Sequence, residues 1–199
     1  MRVYHFLGHQ HGLENLRLRR LKIATLNDIN DPFELLATAS PVFEEREAFR
    51  TLRQEWAQRF GMLCFSRDWR NPVQWSHYAE KHRGLCLGFD VPDNYLSRIT
   101  YSSSRIRPNW EAIRSNDKAD SEKEILRWST TKFRHWHYEQ EERLFLSLDK
   151  PDEDGLYFCE FGDKLMLCEV SYGSLSEIAR IVTGTRWNGL RFFGVRQSG

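Results

Sequence analysis

GMLCFSRDWRNPVQWSHYAEKHRGLCLGFD, residues Gly61–Asp90, is the stretch from which the rest of the chain is read. Two apolar runs, Gly61–Ser66 and Gly84–Phe89, have the length and composition of strands. Between them lies a polar, aromatic-rich connection with Trp69, Trp75, His77, Tyr78 and His82, set among Arg67, Asp68, Arg70, Lys81 and Arg83. Asn71-Pro72 suits a helix start, so Pro72–His82 is expected as a short helix with Trp75, Tyr78 and His82 along one side. Gly84 stops it before the second strand. A connection of this kind on rigid strands can hold a ligand. The same residues can equally be the core of a buried strand–helix–strand unit.

The wider composition is that of a globular protein. The 199 residues are 40% hydrophobic and 29% charged, enough for one domain with a core of its own. A net charge of +1 gives no bulk basic field demanding nucleic acid. Cys64, Cys86, Cys159 and Cys168 all fall in apolar, strand-like runs and none forms a CxxC. They are expected as buried free thiols in a reducing cytoplasm, not as zinc ligands. The opening MRVYHFLGH lacks the apolar core of a secretory signal, and no 18-residue apolar run is long enough to span a membrane. The localisation expected is cytoplasmic, away from membranes.

Around the central stretch, Arg2–Leu7 reads as an opening strand, with Val3, His5 and Leu7 on one face and Tyr4 and Phe6 on the other. Gly8–Gly12 looks like a solvated turn, Leu13–Leu21 a short helix, and Leu21–Thr25 a strand. The Asn/Asp/Pro density of Leu26–Glu34 marks a loop. Pro41–Phe60 has helical periodicity, ended by Gly61. Leu96–Tyr101 is expected as a strand and Tyr101–Ala119 as a long surface connection. Asp120–Phe133 reads as a helix in which Ser121 and Glu124 are spaced as a capping box. Lys132–Leu148 passes into a strand, Leu156–Phe161 and Lys164–Val170 read as strands, and Ser174–Ile181 as a short helix. Strands and helices do not alternate regularly, so the fold class is α+β. The expectation is a single domain over residues 1–199, its core in 1–148, with small mixed or antiparallel sheets flanked by helices.

Two groups of side chains can carry chemistry. Glu139 and Glu141, if both lie on a strand, share one face about 7 Å apart. Such a pair can do acid–base work or hold a substrate hydroxyl. Equally, Arg143 and Arg134 can neutralise it on an exposed edge strand. His82, His135 and His137 with a carboxylate have the chemistry of a transition-metal site, but no HExxH or other compact metal motif is present. No GxxxxGKS or GxSxG occurs either.

The order NDPFE within Asn27–Glu34, CFS at Cys64–Ser66, WSHYAEKHRGLCLGFD at Trp75–Asp90 and WHYEQEER at Trp136–Arg143 resembles the bacterial domain-of-unknown-function family 2971. That family brings no activity with it. The opening VYHFLGHQHGLENLRLRRL also looks like the first strand and helix of ADP-ribosyltransferase-fold proteins, including toxins that modify DNA. This second resemblance implies an NAD-using transferase, a toxin or phage-defence effector acting on a nucleic-acid or protein acceptor. In it His5 would hold the nicotinamide ribose, Ser66 or Tyr78 would fill the middle position, and Tyr78 could stack on the nicotinamide ring. Glu141 or Glu139 would bond the ribose 2′-hydroxyl and stabilise the oxocarbenium-like transition state. His5, Tyr78 and Glu141 are thus the catalytic candidates, and Ser66, Trp75, Glu139 and Arg143 the candidates for binding NAD. The serine–threonine–serine middle motif of that family is absent. Two further readings stand beside it. One is a non-catalytic nucleotide- or partner-binding regulatory module using Trp75, Tyr78 and Arg83. The other is a metal-dependent nuclease using Asp28, Asp31, Glu34 and Glu141. Pairing of Glu141 with Arg83 or Arg143 would favour the regulatory module.

Overall fold

A computed structural model describes residues 1–25, 28, 42–114 and 117–172 of the chain. The elements run β1 (Arg2–Leu7), α1 (His9–Leu18), β2 (Arg20–Lys22), β3 (Ala24–Thr25), α2 (Phe43–Arg59), β4 (Phe60–Ser66), α3 (Pro72–Tyr78), β5 (Leu85–Asp90), β6 (Leu96–Arg98), β7 (Thr100–Ser102), α4 (Trp110–Arg114), α5 (Lys118–Ser129), β8 (Thr131–Phe133), β9 (Glu141–Ser147), β10 (Phe158–Glu160) and β11 (Met166–Tyr172). Two short 3-10 segments, Asp93–Tyr95 and Arg134–Glu139, complete the set. The fold is α+β, with mainly antiparallel strands. The residues fall into two compact units, each assembled from separated segments. One comprises Met1–Arg20, Phe65–Val91 and the chain from Glu160; the other comprises Leu21–Cys64 and Pro92–Cys159.

In the first unit β5 is the middle strand, antiparallel to β1 on one side and β11 on the other. Tyr4 of β1 in turn faces Ser66 at the end of β4. Strand alternation sorts the side chains onto two faces. Phe6 and Cys86 pack with Trp75 and Ala79, and Tyr4, Trp69 and Tyr78 close around them. The Phe6 and Trp75 rings meet edge to face at 5.3 Å. On the other face His5 lies against Phe65, with ring centroids 5.7 Å apart, and Phe65 against Phe89. Helix α1 covers this second face, where a Cβ on Gly12 would come within 2.9 Å of Leu85 Cδ1.

Two local expectations change here. The Gly8–Gly12 segment is helical from His9, because the Glu80 carboxylate accepts the His9 backbone N–H at 3.1 Å and satisfies an otherwise orphan donor. Helix α3 stops at Tyr78 and does not reach His82. Glu80, Lys81 and His82 instead adopt φ of 49°, 55° and 67°, a left-handed run that non-glycine residues rarely make. Backbone bonds from His82 N to Trp75 O and from Gly84 N to Ala79 O hold this turn closed. Gly84 then enters β5 so close to the Leu7 carbonyl that any Cβ would collide with it.

The second unit pairs β6 with β9 and β3 with β4, all antiparallel, and sets β4 beside β9. A parallel pair, β7–β8, and the pair β2–β10 are separate small sheets. Met62 lies at the centre of a cluster with Ala24, Trp56, Ala57, Cys64 and Phe145, and Phe49 packs on Trp128 at 5.0 Å. The expected Leu96–Tyr101 strand is broken at Ile99, and the Tyr101–Ala119 connection contains β7 and α4. The expected capping box is absent. Asp117 caps α5 by accepting from Ala119 N, Ser121 Oγ donates to Ala112 O, and Glu124 accepts from Asn109 N and Trp128 Nε1. Helix α5 also ends at Ser129, so that Thr131–Phe133 becomes a strand. Of the four free thiols only Cys86 is fully buried, and Cys168 is exposed. The Ser174–Ile181 helix lies outside the described residues.

Candidate functional site

The sequence-derived candidates distribute over both units. His5, Ser66, Trp75 and Tyr78 belong to the first, and Glu139, Glu141 and Arg143 to the second. Within the first unit the geometry separates them. Tyr78 and Trp75 lie on the Tyr4–Phe6 face of the sheet and His5 on the Phe65 face. The reason is the two-residue period of β1, which sends His5 away from its neighbours Tyr4 and Phe6. Ser66 joins the Tyr78 face, where its hydroxyl accepts a 2.7 Å bond from Gln74 Nε2 and donates to Asp68 O. Trp75 is buried, and its indole N–H donates to Trp69 O at 2.6 Å. Ser66 and Trp75 therefore hold the Arg67–Asn71 loop against α3 and have no face turned to solvent.

In the second unit the glutamates form a buried charge cluster. Glu139 and Glu141 do not share a strand face, because Glu139 sits in the 3-10 segment and Gln140 takes a left-handed φ of 45° before β9 begins. Lys132 joins them, donating from Nζ to Glu139 Oε2 at 2.6 Å and to Glu141 Oε2 at 3.0 Å. Arg143 donates from Nε to Glu141 Oε1 at 2.7 Å, and from its other nitrogens to Glu141 Oε2 and Ser129 O. The Tyr101 hydroxyl accepts the Glu141 backbone N–H at 2.8 Å.

Burial raises the Glu141 carboxyl above its ordinary value, against the pull of Lys132. Burial alone would lower the Lys132 ammonium. The charges of Glu141 and Glu139, with the hydrogen bonds to both, outweigh it and hold Lys132 above its ordinary value. Burial lowers the Arg143 guanidinium to about 9. Burial also pushes the Cys64 thiol well upward, reinforced by the Glu141 charge, so Cys64 is a poor nucleophile. Two carboxylates and two cations balance, and both Glu141 oxygens are occupied. Removing one member would strand a buried charge, at a cost of about 3–5 kcal/mol.

A second feature, missed in the sequence, lies on the outer side of the same segment. Ser103, Phe133, Arg134, His135 and His137 line a solvent-open concavity of about 550 Å³. The 3-10 segment places Glu139 inward and Arg134, His135 and His137 outward. The Phe133 and His135 rings lie 4.8 Å apart, inclined at 42°. The side chains of Arg134, His135 and His137 make no hydrogen bond or ion pair with any described residue. No carboxylate lines the concavity among the described residues. The available signal was the run KFRHWH at Lys132–His137, six residues without an acidic one. Among the described residues no three His, Cys, Asp or Glu side chains converge as a metal site. Asp31 and Glu34 lie outside the described residues, and Arg83 Nε is directed to the Glu80 carbonyl at 3.3 Å.

A family model described as "Protein of unknown function (DUF2924)" matches residues 165–196. That stretch lies beyond the motifs that carry the sequence resemblances. No curated protein matches the chain, and no solved structure does. No helix among the described residues is long and apolar enough to cross a membrane.

Proposed function

We propose that the protein is a non-catalytic binding module, of regulatory type, for a phosphate-bearing anion held in the Ser103–His137 concavity. The observation that carries this reading is the set of three uncommitted nitrogen-bearing side chains, Arg134, His135 and His137, around a hollow that no carboxylate lines. An exposed guanidinium fork matches phosphate geometry, and imidazole and hydroxyl groups add donors beside it. The volume is in the range of small-ligand sites.

The commitment of Glu141 supports a module over a catalyst. A glutamate that stabilises an oxocarbenium-like centre must offer an oxygen to the sugar, whereas both oxygens of Glu141 face internal cations. The separation of His5 from Tyr78 on opposite sheet faces points the same way.

The test is calorimetric titration of the full chain with inorganic phosphate, pyrophosphate and NAD, beside Arg134→Ala and His137→Ala. Saturable binding weakened tenfold or more in Arg134→Ala is expected. Absence of binding by all three probes would overturn the module. So would nicotinamide release from NAD that disappears in a folded Glu141→Gln variant, which would establish the NAD-consuming transferase instead.

A further inference from the structure

We infer that the concavity recognises a free mononucleotide, with the base laid on the exposed ring of Phe133 and the phosphate toward Arg134 and His137; this rests on the anion-binding reading above. Phe133 is 46% exposed, although it ends a strand and follows the buried Thr131 and Lys132. An aromatic ring held on a strand next to a guanidinium and imidazole donors provides the two elements of base recognition, a stacking platform and a phosphate clamp.

The platform is rigid. The parallel β7–β8 pairing fixes Phe133 opposite Ser102, and the Ser102 hydroxyl in turn donates to Ser104 O at 2.7 Å and accepts from Ser104 N. Those bonds hold the loop that carries Ser103 at the rim. His135 leans on one side of the Phe133 ring at 42°, so the pair stands open like two leaves and does not close on itself.

The size and charge select among sources of the same chemistry. About 550 Å³ accommodates one nucleotide. A tracked polynucleotide needs an extended basic groove, and the chain has a net charge of only +1. A free nucleotide is therefore the occupant, and an oligonucleotide the alternative to be tested.

The experiment compares the affinities of AMP, ribose 5-phosphate, inorganic phosphate and a short oligoadenylate for the full chain, with Phe133→Ala, Phe133→Tyr and Arg134→Ala. AMP is expected to bind tenfold or more tighter than ribose 5-phosphate, as one stacked base provides. Phe133→Ala should erase that ratio, Phe133→Tyr should preserve it, and Arg134→Ala should weaken every phosphate-bearing probe. Equal affinities for AMP and ribose 5-phosphate would overturn the base platform and leave the anion site standing. Binding by none of the probes would overturn both. Tighter binding of the oligoadenylate than of AMP would overturn the free mononucleotide and assign the site to a nucleic acid.

Discussion

Glu141 and Arg143, two residues apart on one strand, share a 2.7 Å hydrogen bond in the interior, with Arg143 only 1% exposed. Neither can be neutralised alone without leaving its partner charged and buried. Glu141→Gln and Arg143→Met are each expected to destabilise the protein by about 3–5 kcal/mol. Urea denaturation provides the measurement. A loss below about 1 kcal/mol for Glu141→Gln would mean that the carboxylate is held for chemistry and not for the fold.

The Gln74 amide reaches the Ser66 hydroxyl at 2.7 Å in a buried setting. Ser66→Ala removes that hydrogen bond from a buried setting and should cost about 1–3 kcal/mol. Gln74→Leu removes the amide together with the bond, so the double variant should be more stable than Ser66→Ala alone. Thermal melts of the three variants decide whether the two residues are coupled.

Left-handed backbone at Lys81 and His82 costs side-chain-bearing residues about 1–2 kcal/mol each. Glycine relieves that strain but loses more entropy on folding. Lys81→Gly and His82→Gly are therefore expected to stabilise the chain by up to about 1 kcal/mol. Gly84→Ala, one step beyond the turn, has the opposite sign, because its Cβ meets the Leu7 carbonyl. It should rank among the most damaging single changes, above about 4 kcal/mol. If Gly84→Ala folded with near-normal stability, the α3–β5 connection would have to run differently from the one described.

Asp90 receives two hydrogen bonds from Arg2, at 2.6 and 3.0 Å, which with the Cys168 thiol lower its carboxyl from 3.8 to about 2. A carboxylate lowered in the folded state adds stability that is complete above its unfolded value and disappears as pH falls through the folded one. The melting temperature should drop between about pH 4 and pH 2, and Asp90→Asn should flatten that part of the profile. The pair is solvent-exposed, so added salt should shrink the effect. An unchanged acid profile in Asp90→Asn would remove Asp90 from the account.

Strands β1, β4 and β5 and helices α2 and α5 were legible from local periodicity, since each carries its own apolar pattern. What was not legible depended on partners distant in sequence. Helix α1 starts at His9 because Glu80 accepts its first N–H, and α5 takes its cap from Asp117 because Ser121 and Glu124 are drawn to α4 and its approach. Period-two reasoning placed His5 correctly opposite Tyr4 and Phe6. It could not say that Tyr78 would pack on the Tyr4 side, since helix docking is a tertiary event. The Glu139–Glu141 spacing reads as strand, but the left-handed Gln140 breaks that period. The Phe133–His137 concavity is not legible locally, because the spacing of its histidines reads as strand or metal ligand, whereas they form the outer side of a 3-10 turn.

Arg2 of β1 and Met166 of β11 both stand opposite Asp90 of β5. Strand β1 therefore leaves the ribosome well before its partner near the middle of the chain, which in turn leaves before one beyond residue 160. At ordinary elongation rates each interval lasts on the order of seconds. Chains stalled before β5 has emerged should leave β1 open to protease, and chains stalled after β11 has emerged should protect it. During synthesis Val3 and Phe6, later buried in the core, are exposed apolar surface, so the nascent chain has a period in which chaperone binding competes with self-association.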